Sequence, residues 1–342
     1  MKFTKNIVSF FSIFLLAFFF FISSVSAQEN TNSTMPIFVE ALIPENQIDK
    51  NHTFFDLRVI PGQEQKLQLK IHNDSQKDKE VVISPQVAKT GEGGNIDYSG
   101  INAPLDSSLE HSFEDMISEQ QVVNIKARDV VIVTFDLNIP SQGFRGIVLG
   151  GFYIEEIVKE DKSMETTTNT VQIKNRYAYI IGCKLRNDTE DIKPEFKLRK
   201  IELTEWNDFP SINAELANVK PEIVSNYVYE GTIINKKTGK RKVVFPEARF
   251  SMAPNSIFMR PQKIVLDHFE NGTYIYALKI RDGDRIWNVE KEFQISYSQK
   301  KSVKERILRE PSFPWLFLWI VLVGVILSTL VCILYRRNSD EK

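Results

Sequence analysis

The chain has 342 residues, 42% of them hydrophobic, 25% charged and 11% aromatic, with a formal net charge of −1. That near-neutral balance excludes the strongly basic surface of a nucleic-acid-binding protein, so no nucleic-acid partner is expected. Two cysteines, Cys183 and Cys332, and four scattered histidines offer neither a disulfide framework nor metal-ligand spacing; no metal and no cofactor is expected.

In chain order, Lys2 and Lys5 precede an almost wholly apolar run from Ile7 to Ile22. Small residues Val25 and Ala27 then fit a signal-peptidase site, so residues 1–27 read as a signal peptide cleaved after Ala27. An exported chain without disulfides must be held by core packing alone, a habit of bacterial surface proteins rather than small animal ectodomains.

From residue 36 the apolar residues alternate. Leu67, Leu69 and Ile71 do so, as do Val131, Val133, Phe135, Leu137 and Ile139, each set on one face of a half-buried strand. Pro61-Gly62, Asn73-Asp74-Ser75, Gly91 to Asn95 and Ser141-Gln142-Gly143 punctuate the runs as turns. The stretch from Asp106 to Gln121 departs from this rhythm. Leu109, Phe113, Met116 and Ile117 there have helical spacing, and Ser107 with Glu110 forms a capping box, which predicts a short helix across one end of a first β-sandwich, 36–157. The charged, threonine-rich segment 158–169 reads as an interdomain linker.

Alternating strands resume at 196–203, 212–216, 227–234, 243–250, 274–280 and 287–297, predicting a second sandwich over 170–297. Asp282-Gly283 marks a hairpin and Lys237-Thr238-Gly239 a second turn. Tyr274, opening a late strand, is either a tyrosine whose hydroxyl ties back to the upstream backbone, as in immunoglobulin-like domains, or a plain alternating aromatic. Residues 298–312 read as a basic stalk. Phe313 to Tyr335 carries no charge and is long enough to cross a ~30 Å bilayer core, with Trp315, Trp319 and Tyr335 near its edges. Residues 336–342 are then a short cytoplasmic tail. The expected fold class is all-β: two tandem immunoglobulin-like sandwiches, a cleaved signal peptide and one C-terminal transmembrane helix. The expected location is the cell membrane, single-pass type I, with the ectodomain facing the cell wall.

No catalytic constellation emerges. Lys237-Thr238-Gly239 matches the K-T-G element of penicillin-binding enzymes. The matching S-x-x-K stretches, Ser298 to Lys301 and Ser339 to Lys342, however, lie downstream in the stalk and tail. The Gly91 to Asn95 loop is not followed by a helix that could present amides to a phosphate, and it reads as a flexible loop. No enzyme is expected.

Several stretches in order carry a resemblance: Phe54-Phe55-Asp56-Leu57, Pro61-Gly62-Gln63, Gly94-Asn95-Ile96-Asp97-Tyr98, and Phe144-Arg145-Gly146 running to Gly150-Gly151. They resemble the first domain of the WxL-interacting proteins of low-GC Gram-positive bacteria. Asn175-Arg176-Tyr177-Ala178-Tyr179 and Met252-Ala253-Pro254-Asn255-Ser256 resemble that family's second domain. The resemblance implies a non-enzymatic cell-surface scaffold whose partners are peptidoglycan, through the first domain, and WxL-domain surface proteins. Host extracellular-matrix protein is a further partner, through the second domain. Rival readings are an adhesin that contacts host matrix directly and an accessory membrane sensor. For ligand binding the expected residues are Asn95, Asp97, Tyr98, Phe144 and Arg145, because an aromatic plane with amide and charged groups suits a sugar face. Turn and core duty is the plainer reading of each. Gly150 and Gly151 mark a bulge or a close backbone approach.

Overall fold

The computed structural model describes residues 37–157, 177–187, 190–307 and 319. The expected signal peptide, the 158–169 linker, the membrane span (Trp319 apart) and the tail lie outside the described residues. Among the described residues no helix is long and apolar enough to cross a membrane.

The architecture is all-β. The first body runs β1 (Ile37–Leu42), β2 (Phe55–Arg58), β3 (Glu64–Asn73), β4 (Lys79–Val87), β5 (Lys89–Thr90), β6 (Ile96–Asp97), β7 (Gln121–Ile125), β8 (Val130–Asn138), β9 (Ile147–Glu156) and β10 (Ala178–Arg186). A three-stranded sheet, β1-β3-β8, faces a five-stranded one, β2-β10-β9-β4-β7. The alternating pattern sets which side is buried: Leu67, Leu69, Ile71, Phe135 and Leu137 are fully enclosed. They meet Phe152 of the opposite sheet, whose ring lies 4.8 Å from Phe135, 5.9 Å from Phe113 and 6.1 Å from Phe55.

β10 corrects the expected boundary. Sequence reading placed it in the second sandwich, but it pairs antiparallel with β9 (Ala178 opposite Glu155) and parallel with β2 (Lys184 opposite Asp56). The 158–169 segment therefore joins two neighbouring strands of one sheet, and the chain passes to the second body only after Arg186. Arg186 fastens the parallel pair, its Nη2 donating to both oxygens of buried Asp56 at 2.8 and 3.0 Å. Cys183, on the same strand, is buried, which pushes its thiol pKa up and keeps it from any intermolecular bridge.

The second body runs β11 (Phe196–Trp206), β12 (Phe209–Asn218), β13 (Val224–Asn235), β14 (Arg241–Met252), β15 (Ile257–Lys263), β16 (Gly272–Asp282), β17 (Arg285–Ile295) and α1 (Tyr297–Ile307). Its sheets are β11-β12-β15 and β14-β13-β16-β17. Tyr274 settles the open alternative: its hydroxyl donates to the carbonyl of Glu270 at 2.9 Å. Both expected turns form, with positive φ at Gly283 and Gly239.

Two local expectations fail. Asp106 to Gln121 contains no helix; it is a chain of turns with one isolated bridge, Ile117 to Leu137, leading into β7. Phe113, Met116 and Ile117 are buried as anticipated, but Asp106 is drawn to Arg199 and Glu114 Oε1 accepts from Val87 N. Asp106 also accepts from Ser108 N and Leu109 N, so one turn closes there, but the path does not continue as a helix. The supposed stalk is helical to Ile307 and docked: Val303 is buried, Lys300 Nζ donates to Phe269 O at 2.6 Å, and Lys304 pairs with Asp267 at 3.0 Å.

The close approach expected at Gly150 is real. A Cβ there would stand 2.2 Å from the Phe113 ring. Gly150→Ala is expected to destabilise the protein by about 1–3 kcal/mol through overpacking, read as a lower urea midpoint.

Candidate functional site

Where the two bodies meet, backbone and side chains from both interlock. Gly94 has φ +69°, and a Cβ on it would lie 2.9 Å from Phe250 Cβ, so only glycine lets the β5–β6 loop lie against β14. Ser251 N donates to Gly94 O at 2.7 Å, and Gly91 N to Asn95 O at 2.9 Å. The loop expected to be flexible is thus a docked element. Beside it, the Thr90 and Ser256 hydroxyls lie 2.6 Å apart, and Ala253 N donates to Thr90 Oγ1. Asn255, at φ +48°, donates from Nδ2 to Ser108 O and Oγ. Ala88, Ile147, Leu149 and Ala253 pack together around these bonds.

The strongest link is ionic. The Asp106 side chain is 1% exposed, and Arg199 reaches it in a fork, Nε to Oδ2 at 2.7 Å and Nη2 to Oδ1 at 2.9 Å. Burial alone would raise the Asp106 pKa; hydrogen bonds from Arg199 and Ser108 outweigh it and hold the carboxyl below the usual range.

Two clefts border this junction. One, about 490 Å³, includes Phe144, Arg145, Glu190, Ile192 and Lys220 in its lining. The other, about 620 Å³, is lined in part by Asn95, Asp97, Asn102, Trp206 and Asn213. The expected binding residues are therefore divided. Asn95 and Asp97 share the larger cleft, where Asp97 Oδ1 accepts from Ser99 N and Oγ at 2.8 and 2.6 Å. Phe144 and Arg145 share the smaller, with Arg145 forked onto Glu190 at 2.6 and 2.8 Å and lowering that carboxyl's pKa. Tyr98 lines neither; it packs against the apolar patch and Gly151. Burial, and after it the neighbouring Cys183, pushes its hydroxyl pKa up to about 12.

Sequence reading missed the tip of the β11–β12 hairpin. Trp206 and Phe209 are cross-strand partners around a two-residue turn, Asn207 at φ +48° and Asp208 at φ +62°. Lys263 Nζ lies 3.7 Å from the Phe209 ring centre and 5.6 Å from that of Trp206. An Asn-Asp pair between aromatics was the available signal, since such turns need residues that tolerate positive φ.

Residues 38–156 match the model of the WxL Interacting Protein peptidoglycan binding domain, and residues 168–305 match that of the WxL Interacting Protein host binding domain. The chain belongs to the WxL-interacting protein family. Both of its domains are of binding-domain families that fit a cell-surface protein. In this member the first match stops short of β10, the strand that completes its five-stranded sheet. No curated protein matches the chain. Among solved structures it is similar to the Pseudomonas aeruginosa CupB2 chaperone (11% identity, 70% of this chain and 97% of that one, TM-score 0.27). It is also similar to an ASH/PapD-like domain of human CEP192 (11% identity, 49% and 98%, TM-score 0.27).

Arg199→Ala leaves Asp106 buried without its ion-pair partner and is expected to cost roughly 3 kcal/mol, splitting one urea transition into two. Because Asp106 is depressed below its usual value of 3.8, the stabilisation is complete above that pH. It fades as pH falls through the lower, folded value. A pH series of urea melts should show that acid loss in the native chain and not in the variant.

Proposed function

We propose that the protein is a non-enzymatic scaffold of the cell surface that holds to peptidoglycan and complexes or presents WxL-domain surface proteins. The observation that carries this reading is the pair of family matches, one to a peptidoglycan binding domain and one to a host binding domain, in a chain whose two bodies are locked by a buried ion pair. A locked junction suits presentation: a partner held by one body is kept at a set angle to whatever the other grips. The 1–27 signal peptide and the 313–335 span would export the chain and tether it as a single-pass type I protein.

The host binding match favours a second reading, an adhesin that touches host matrix itself. Reach argues for the scaffold. Two bodies of roughly 120 residues, each with a radius of gyration of about 14 Å, extend at most on the order of 100 Å from a membrane anchor. That is less than a thick Gram-positive wall, and the host-binding-type body is the one nearer the anchor.

The purified chain is expected to sediment with purified wall sacculi and to retain a WxL-domain protein from the surface-protein fraction. Antibody raised against residues 196–307 should label cells only after the wall is digested. Labelling of intact cells would favour the adhesin, and absence from the sacculus pellet would remove the peptidoglycan role.

A further inference from the structure

The outward face of the β11-β12-β15 sheet is fixed by its period of two. On β12, Ile212, Ala214 and Leu216 are buried in the core, so Ser211, Asn213 and Glu215 point away from it. Asn213 stands in register with Pro261, and Glu215 with Met259. Arg260, between Met259 and Pro261, turns inward, its guanidinium 4.5 Å from the ring centres of both Tyr229 and Phe245. That sets the phase of β15. Thr204, Trp206, Asn213, Met259 and Pro261 thus form the sheet side of the 620 Å³ cleft, and the docked loop of the first body, with Asn95, Asp97 and Asn102, supplies the other. Neither sandwich makes this cleft alone.

Its chemistry is mixed in a particular way. Trp206, half-buried at the hairpin tip, offers a flat apolar plane. Asn95, Asn102 and Asn213 each bring an amide that can both donate and accept. Asn213 lines the cleft, and its Oδ1 is buried without a hydrogen-bond partner among the described residues, so its amide is unanchored and can turn that oxygen toward a ligand's N–H or O–H. Met259, Pro261 and Pro104 give apolar surface beside these amides. Glu92, Asp97 and Glu205 line the same space; carboxylates accept from hydroxyls and repel an anion. Anionic wall polymers are disfavoured on that ground, and an uncharged ring ligand rich in hydroxyl and amide groups is favoured.

We propose that this cleft between the two sandwiches binds a β-linked N-acetylhexosamine chain, one sugar ring lying on Trp206 and an acetamido group reaching the asparagine amides. The volume falls within the range of preformed ligand sites. The proposal deepens the peptidoglycan reading above and rests on it for the ligand class. It goes further in making the host-binding-type body half of the site.

The test titrates the purified full chain with chitotetraose, the β-1,4-linked tetramer of N-acetylglucosamine, followed by calorimetry and tryptophan fluorescence. Sedimentation with sacculi runs in parallel. Saturable binding is expected, with a fluorescence change that Trp206→Ala abolishes while weakening affinity about tenfold. Asn213→Ala should also weaken binding, and both variants should keep the native urea midpoint. No saturable binding of chitotetraose, or equal affinity in the Trp206 variant, overturns the proposal. If sacculi still sediment the chain in that case, the peptidoglycan reading survives and only the cleft assignment falls. If chitotetraose binds as expected while sacculi do not, the cleft stands and the wall-anchoring role falls.

Discussion

A carboxylate taken out of water has to be matched by a cation and by donors, or it gives up its charge. Asp106 sits almost wholly enclosed in the first body, and the guanidinium that matches it comes from the second. Much of the molecule follows from that pairing. Asp106 holds Arg199 while still closing the turn that follows it, accepting from Ser108 N on Oδ1 and from Leu109 N on its carbonyl. The β5–β6 loop is pressed onto β14, which only a glycine at position 94 permits. The floor of one body and the loops of the other are thereby held near enough to enclose two clefts.

Much of the framework was legible from spacing alone. The strict alternation of Leu67, Leu69 and Ile71, and of Phe135 and Leu137, carried its own burial pattern, since a residue two places along a strand faces the same side. The Asp282-Gly283 hairpin was legible for a similar reason, because few residues accept positive φ. The tyrosine tie at Tyr274 was visible as one of two alternatives, and its hydrogen bond to Glu270 decided it. The home of β10 was not legible: a strand's pattern tells which face is buried and says nothing about which neighbour it pairs with. Nor could spacing tell that Phe113, Met116 and Ile117 would be buried one by one from an irregular path. The binding candidates rest on residue type, an aromatic plane beside amides and charges, and type alone does not reveal that Asn95 and Phe144 line different clefts or that Trp206 and Asn213 join Asn95 from far along the sequence.

Three of the stretches that carry the family resemblance gather at the same place. Gly94 to Tyr98, Phe144 to Gly151 and Met252 to Ser256 all contribute to the junction, through Gly94 O, through Ile147 N donating to Pro221 O at 2.7 Å, and through Ser256 Oγ. Phe54 to Leu57 serves the first body from within, with Phe55 and Leu57 in its core and Asp56 bound by Arg186. Those three signatures describe how the two halves are fastened.

The return of β10 to the first sheet has a practical side. A fragment cut at residue 157, where sequence similarity invites the cut, would lack the strand that lies between β9 and β2. Two rows of backbone amides and carbonyls would be bared, and naked edges of that sort recruit strands from other molecules. Such a piece should be sticky for reasons unrelated to any ligand, and its apparent adhesiveness would say little about the intact protein.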